Sequence, residues 1–248
     1  MGKYKLLALD MDGTLLNEQT EISEENEYWI NKALDAGVTV SFSTGRGFPS
    51  ALPYAEQLKL DTPMITVNGS EIWHRPHELH KRTLLDSEHV RRLHELALAY
   101  EEPWFWAYTT QRIYNKESWI ETPGDYEGYQ WLKFGYYTED DAARGKILQE
   151  VQSWDLFEIT NSSPWNIELN PKGISKASGL RELCGLMGID MSEVVAVGDS
   201  LNDIAAIREA GLGIAMGNAQ DAVKEAADAV TATNDEHGVA EVIKQYIL

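Results

Sequence analysis

Short, continuous apolar runs alternate with stretches of helical periodicity at both ends of the chain, and that alternation predicts a parallel sheet flanked by helices. Leu6-Leu7-Ala8-Leu9 is the first run, apolar throughout as a strand covered on both faces must be. Ser23 caps a predicted helix reaching about Ala36, with Trp29, Ile30, Ala33 and Leu34 on one face and Gly37 beyond its end. Val38-Thr39-Val40-Ser41-Phe42-Ser43 reads as a second strand, about Pro49 to Leu58 as a second helix, and Met64-Ile65-Thr66-Val67 as a third strand. The same grammar resumes near the other end, with a helical apolar pattern over Gly179 to Met187 and a buried strand at Val194-Val195-Ala196-Val197-Gly198. A helix to about Ala210, a strand Gly213 to Met216, a helix about Ala219 to Ala227, a short strand Ala229-Val230-Thr231 and a closing helix Val239 to Ile247 complete it. Short connections between such strands imply right-handed crossovers.

The middle follows another rule. A helix over Ser87 to Glu101 precedes strands at about Trp104 to Tyr108 and Arg112 to Asn115, then a polar, glycine-containing stretch, Ser118 to Thr138. A helix at about Asp140 to Trp154 and strands at about Leu156 to Thr160 and Trp165 to Leu169 follow. Helix–strand–strand twice over suggests an α+β insert on an antiparallel sheet with its helices on one face. The domain reading is therefore a core of residues 1–83 and 171–248, interrupted by an insert over 84–170. Trp104, Trp106, Trp119, Trp131, Trp154 and Trp165 all fall in the insert, either as the bulk such a core needs or with one or two facing a ligand. An insert of this kind forms a second domain whose interface with the first is a natural cleft.

Chemistry-bearing residues gather where the core strands end. Asp10 and Asp12 follow the first strand, Ser43-Thr44 the second, Asn68 the third, and Asp199 with Asn202 and Asp203 the strand after Val194. A lone Asp after a strand is usually a helix cap, but parallel strands bring these ends to one sheet edge, where ligands of open α/β sheets bind. Positions i and i+2 of an extended segment share a side, so Asp10 and Asp12 are expected to converge. Two carboxylates there need a cation. That need points to a metal and to phosphate chemistry.

Charge narrows the partners. With 21 Lys and Arg against 40 Asp and Glu, the formal net charge of the 248 residues is −19. The balance argues against nucleic acid or an anionic membrane as partner, and leaves an anionic substrate to be met by local cations. Cys184, the single cysteine, excludes an internal disulfide and reads as a core thiol. The segment from Met1 to Lys5 runs into a strand rather than an apolar leader, and no apolar run approaches the roughly 18 residues of a membrane span. Gly2 lacks the downstream Ser or Thr of a myristoylation signal, since Leu6 occupies that position. A cytoplasmic protein is expected.

Four ordered motifs carry a resemblance: Asp10-Met11-Asp12-Gly13-Thr14-Leu15-Leu16, Ser43-Thr44-Gly45-Arg46, Gly173-Ile174-Ser175-Lys176 and Gly198-Asp199-Ser200-Leu201-Asn202-Asp203. Together they resemble the haloacid dehalogenase (HAD) superfamily, end to end and in order. The insert's position and the closing Asn234-Asp235-Glu236-His237-Gly238-Val239-Ala240 are similar to its Cof-type, C2-capped branch (subfamily IIB). The resemblance implies a Rossmann-like parallel-sheet core with an inserted α+β cap, and a phosphatase acting on a small phosphorylated metabolite such as a sugar phosphate.

Asp10 would be the nucleophile that forms an aspartyl-phosphate, and Asp12 the general acid and base. The resemblance places Mg²⁺ on the Asp10 carboxylate, the Asp12 backbone carbonyl and the Asp199 carboxylate. Thr44 would bind one phosphoryl oxygen, backbone N–H groups near Met11, Gly13 and Gly45 the others, and Lys176 would screen the charge. Asn202 would contact the phosphoryl group and Asp203 would orient Lys176 or water, with Arg46 and Asn68 structuring loops or lining the entrance. In the cap, which would close over the site, Trp106, Arg112, Tyr114 and Lys116 are the specificity candidates. Dehalogenation is disfavoured because a halide needs neither acid nor metal. Ion pumping is disfavoured because Asp12 stands where pumps carry a Lys-Thr pattern. A sugar-phosphate phosphomutase and a non-catalytic phosphate-binding module are the alternatives, and a monomer or weak homodimer is expected.

Overall fold

The computed structural model describes residues 2–100, 102–120 and 124–248. Elements from the first part of the chain are β1 (Leu6–Leu9), α1 (Glu24–Asp35), β2 (Thr39–Phe42), α2 (Phe48–Gln57), β3 (Met64–Thr66), β4 (Glu71–Arg75) and β5 (Glu78–Arg82). The middle holds α3 (Ser87–Leu98), β6 (Trp104–Thr109), β7 (Ile113–Asn115), β8 (Trp131–Tyr137), α4 (Asp141–Trp154), β9 (Phe157–Thr160) and β10 (Asn166–Pro171). The last part adds α5 (Lys176–Met187), β11 (Val194–Gly198), α6 (Ile204–Glu209), β12 (Leu212–Ala215), α7 (Asp221–Ala226), β13 (Ala229–Val230) and α8 (Gly238–Val242), which runs on as a π-helical turn over Ile243–Ile247. Residues up to Lys81 together with Ser175–Leu248 form one compact unit, and Arg82–Ile174 form the other.

In the first unit five strands pair in parallel, in the order β13-β12-β11-β1-β2. β1 lies inside the sheet, Leu6 opposite both Val194 and Thr39, and its four residues are buried. Burial on both faces removes the alternation a half-exposed strand would show, which is why this run is continuous in the sequence. Ser23 caps α1 by accepting from the Asn26 N–H, and Gly37 takes the left-handed conformation that ends it (φ 84°). Cys184 sits in the core, where burial pushes its thiol pKa up. No helix among the described residues is long and apolar enough to cross a membrane.

Two expectations are corrected here, and one hairpin was not foreseen. β3 touches β2 through one parallel bridge, Ser43 to Ile65, and otherwise pairs antiparallel with β4 in a separate three-stranded sheet that ends in β5. The β4–β5 hairpin escapes the pattern because β5 is almost wholly exposed and carries no apolar periodicity. The helix expected to run to Ala210 begins with a 3-10 turn, Leu201–Asp203, and only then becomes α6.

The second unit is a five-stranded antiparallel sheet, ordered β7-β6-β8-β10-β9. Its central strand β8 lies inside the stretch expected to be irregular, part of which, 121–123, is outside the described residues, as is Glu101 at the expected end of α3. β8 is buried along six of its seven residues, so it too shows no alternation, and Lys133 and Gly135 interrupt its apolar run. Val90, Leu93 and Ala97 of α3 and Ile147 and Val151 of α4 pack on one sheet face, against Phe105, Ala107, Phe134, Tyr136, Ile167 and Leu169. Trp119 and Trp131 join that core, while Trp165 is 47 % exposed.

Candidate active site

Adjacent parallel strands bring Asp10 after β1, Ser43-Thr44 after β2 and Asp199 after β11 to one edge of the first unit's sheet. The chain turns at once beyond Leu9, with Thr14 and Leu16 N–H groups donating to the Met11 carbonyl. Asp10 and Asp12 are therefore not two positions of one strand. The Asp10 carboxylate is buried, whereas that of Asp12 is 55 % exposed and pairs with Arg46. The convergence expected from strand alternation does not occur, because the turn intervenes. Met11 puts its side chain in the core, so only its backbone is available to a ligand.

Lys176 is the first residue of α5, held there by a capping box between Ser175 and Ser178. Its side chain is fully buried, and Nζ donates to Asp10 Oδ1 and Asp203 Oδ1, both at 2.7 Å. The other Asp203 oxygen accepts the N–H groups of Asp199 and Ser200, each at 3.1 Å. Asp203 thus orients Lys176 and the Asp199 turn together. Carboxylate oxygens of Asp10, Asp199 and Asp203 lie within 4.8 Å of one another. Gly13, at φ 75°, passes so near that a Cβ would stand 2.6 Å from Asp199 Oδ2, and only glycine fits.

The Thr44 hydroxyl is buried and accepts the Arg46 N–H at 3.1 Å, with Gly45 between them. Asn68 stands in a left-handed turn formed by Val67 (φ 51°), Asn68 (φ 55°) and Gly69 (φ 99°). That conformation costs energy for a β-branched residue and is held by its surroundings. Gly69 lies against the N-cap of α5, where a Cβ would meet the Ser175 carbonyl oxygen at 2.3 Å. Asn68 Oδ1 accepts from Asn202 Nδ2 at 3.2 Å, and the buried Asn202 Oδ1 has no hydrogen-bond partner.

Several contributors were not singled out in the sequence. Thr14 and Ser200 hydroxyls donate to the Asp199 carboxylate at 3.4 and 3.0 Å. Asn218 Nδ2 donates to the Gly13 carbonyl at 2.8 Å, and Asn234 Nδ2 to the Leu16 carbonyl at 2.9 Å, bracing the Asp10 loop. Asn218 follows β12, a further strand end of the same sheet edge, and that position is the signal that could have found it.

The specificity candidates of the second unit divide between the two faces of its sheet. Tyr114 is buried in the helix-side aromatic core, a correction that follows from its pairing with Ala107. Arg112 lies over the Tyr114 ring, 4.3 Å from its centroid, and Lys116 reaches the Pro103 carbonyl at 3.3 Å. Trp106 alone lies on the opposite face, against Gly135. That face also carries a buried ion pair, Lys133 to Glu168 at 3.2 Å. A charged residue inside an apolar strand was its sequence signal.

The sequence matches the haloacid dehalogenase-like hydrolase family over residues 7–149 and 120–243. The chain belongs to that family. It is 48 % identical over 244 residues to 5-amino-6-(5-phospho-D-ribitylamino)uracil phosphatase YcsE of Bacillus subtilis, covering 98 % of this chain and 96 % of that one. A second B. subtilis phosphatase described by the same reaction, YitU, is 32 % identical with 98 % of each chain covered. The structure superimposes on a haloacid dehalogenase-like hydrolase from B. subtilis with a TM-score of 0.88 at 28 % identity, over 97 % of this chain and 99 % of that one. The hydrolase is a phosphatase of phosphoric monoesters, built on the family's α/β fold.

Electrostatics say what the cluster lacks. Burial raises the Asp10 carboxyl well above its ordinary pKa, Asp203 and Asp199 add to the shift, and Lys176 opposes it. Burial and Asp203 push Asp199 from 3.8 up to about 6. Burial alone would lower Lys176, yet Asp10 and Asp203 hold it above its ordinary value. Three carboxylates, those of Asp10 and Asp203 buried and that of Asp199 half-buried, share one cation, and their hard oxygen donors suit a magnesium ion on Asp10 and Asp199.

A group whose folded pKa is raised binds its proton more tightly in the folded state, so its contribution is full at low pH and lost as pH rises. For Asp199 that window runs from about 4 to about 6. A cation bound only to the folded state offsets the loss. The Tm difference between Mg²⁺ and chelator is therefore expected to be larger at pH 7.5 than at pH 5. Equal differences in calorimetry at the two values would count against the assignment.

Proposed function

We propose that the hydrolase is a Mg²⁺-dependent phosphomonoesterase working through an aspartyl-phosphate on Asp10, and that its substrate is 5-amino-6-(5-phospho-D-ribitylamino)uracil or a closely similar phosphorylated polyol. The fully buried Lys176, bridging Asp10 and Asp203 beside Asp199, carries the chemical reading. The substrate reading rests on the 48 % identity to YcsE across nearly all of both chains.

Lys176 occupies Asp10 Oδ1 and so directs Oδ2 to phosphorus. As the bond from Oδ2 to phosphorus forms, the bond from phosphorus to the leaving oxygen breaks, and Asp12 gives that oxygen a proton. In the second half Asp12 takes a proton from water, the water oxygen bonds to phosphorus, and Asp10 leaves as a carboxylate with inorganic phosphate released. Thr44, Asn202 through its Nδ2 donor, and the loop N–H groups at Gly13 and Gly45 hold the phosphoryl oxygens. Mg²⁺, held by Asp10, Asp199 and the Asp12 carbonyl, would neutralise charge on the transferring oxygens and let a carboxylate approach a dianion.

The test is phosphate release across a panel of phosphorylated polyols, nucleotides and sugars, with Mg²⁺ and with chelator. The ribitylaminouracil phosphate is expected to give the highest kcat/KM, and chelation to remove activity that Mg²⁺ restores. Turnover undiminished by chelation would sink the metal reading, and a preference for hexose phosphates the substrate reading. Isomerised sugar phosphate with little free phosphate would mark a mutase instead.

A further inference from the structure

Arg46 meets the Asp12 carboxylate as a fork: Nε donates to Oδ2 at 2.7 Å and Nη2 to Oδ1 at 2.6 Å. Both residues belong to the first unit, and the fork joins the loop after β1 to the loop after β2. Arg46 is itself fixed from two other sides. Its N–H donates to Thr44 Oγ1 at 3.1 Å, and its guanidinium lies 5.2 Å from the Tyr54 ring centroid. Tyr54 is in turn anchored by its hydroxyl, which donates to the Thr20 carbonyl at 3.0 Å.

Stability alone does not account for such a contact, since an ion pair with one partner 55 % exposed contributes modestly. Geometry does. A bidentate fork admits one orientation of a carboxylate where a point charge admits many. Asp12 needs that constraint more than most loop aspartates. Asp10, Asp199 and Asp203 form a cluster close by in the sheet edge, and Lys176 is already committed to two of them in a buried position. Repulsion from the cluster would otherwise drive the Asp12 side chain outward into solvent. The fork uses one lone pair on each oxygen of about four sites, leaving the others for proton traffic.

We propose that Arg46 is the positioning residue of Asp12, holding its carboxylate in the orientation from which it protonates the leaving oxygen and later deprotonates water. The proposal rests on the acid–base reading of Asp12.

The test compares wild type, Asp12→Asn, Arg46→Met, Arg46→Lys and the Asp12→Asn/Arg46→Met double variant on two substrates. Ribitol 5-phosphate has an alkoxide leaving group that requires a proton, and p-nitrophenyl phosphate has one that requires little. Arg46→Met is expected to lower kcat on ribitol 5-phosphate by most of the loss seen in Asp12→Asn, about 10²–10⁴-fold for a general acid–base group. Its loss on p-nitrophenyl phosphate should be much smaller, with KM nearly unchanged on both. The double variant should be no slower than Asp12→Asn, and Arg46→Lys should recover part of the rate. Equal losses on both substrates, a multiplicative double variant, or a change confined to KM would each overturn the positioning role while leaving Asp12 its own. Loss of leaving-group dependence in Asp12→Asn itself overturns both readings.

Discussion

Asp10→Asn is expected to reduce phosphate release to background on every substrate, a loss beyond the factor associated with any acid–base group. The amide keeps the shape of the carboxylate and can still accept from Lys176, so the site remains assembled while its nucleophile is gone. Stability should change little, because two effects oppose each other. Asn removes a desolvated charge whose raised pKa makes its ionised form costly at neutral pH, and it also removes one partner of Lys176. The measurement is single-turnover kinetics with acid-quenched detection of phosphorylated protein, beside a thermal melt. Wild-type protein should show a transient covalent phosphate, and the variant none. A variant rate within about tenfold of wild type, a barrier change of under 1.4 kcal/mol, would remove Asp10 from the chemistry.

Lys176→Met should do the greatest damage to stability. Met has similar length and belongs in a buried place, but it leaves Asp10 and Asp203, beside Asp199, without their shared cation. Removing one member of a buried ion pair costs roughly 3–5 kcal/mol, chiefly for the uncompensated charge that remains. The cost should depend on pH in a definite direction. Without Lys176 the folded-state carboxyl pKa values rise further, so the penalty grows as pH rises and shrinks once the carboxyls carry protons. Urea unfolding near pH 5 and near pH 7.5 reads this directly. A variant within about 0.5 kcal/mol of wild type at both values, the range of an ordinary surface change, would show that the lysine carries no electrostatic burden. Catalysis should fall as well, since the phosphoryl oxygens lose the same charge.

The parts of this architecture that could be read in one dimension are those where a local pattern has one structural solution. β1 and β11 are covered on both faces, so their apolar runs are unbroken, and each ends at the aspartate that the site uses. β8 obeys the same physics yet was hidden, because Lys133 and Gly135 break its run and Lys133 finds its counter-charge on β10. β7 was expected as a strand, but which of its faces meets helices depends on where α3 and α4 pack, and so Tyr114 was misplaced. The Arg46–Asp12 fork joins residues 34 apart across two loops, which no periodicity records. Asp12 itself was assigned to the correct loop and to the wrong geometry, since a turn replaced the expected extension after Leu9.

The partners of β1 have a consequence for how the polypeptide assembles as it is made. One edge of β1 is satisfied early, by β2, while the other waits for β11, with Leu6 opposite Val194. The whole of Arg82–Ile174 is synthesised between those two events, and it is a contiguous segment with its own apolar core. Closure of the parallel sheet therefore carries the entropy of a very long loop, reduced once the intervening segment has folded into a compact body. On the ribosome the inserted unit can be complete while β1 still presents an unpaired apolar edge, the condition under which nascent chains aggregate. The strand that completes the sheet, β11, is the same one that delivers Asp199.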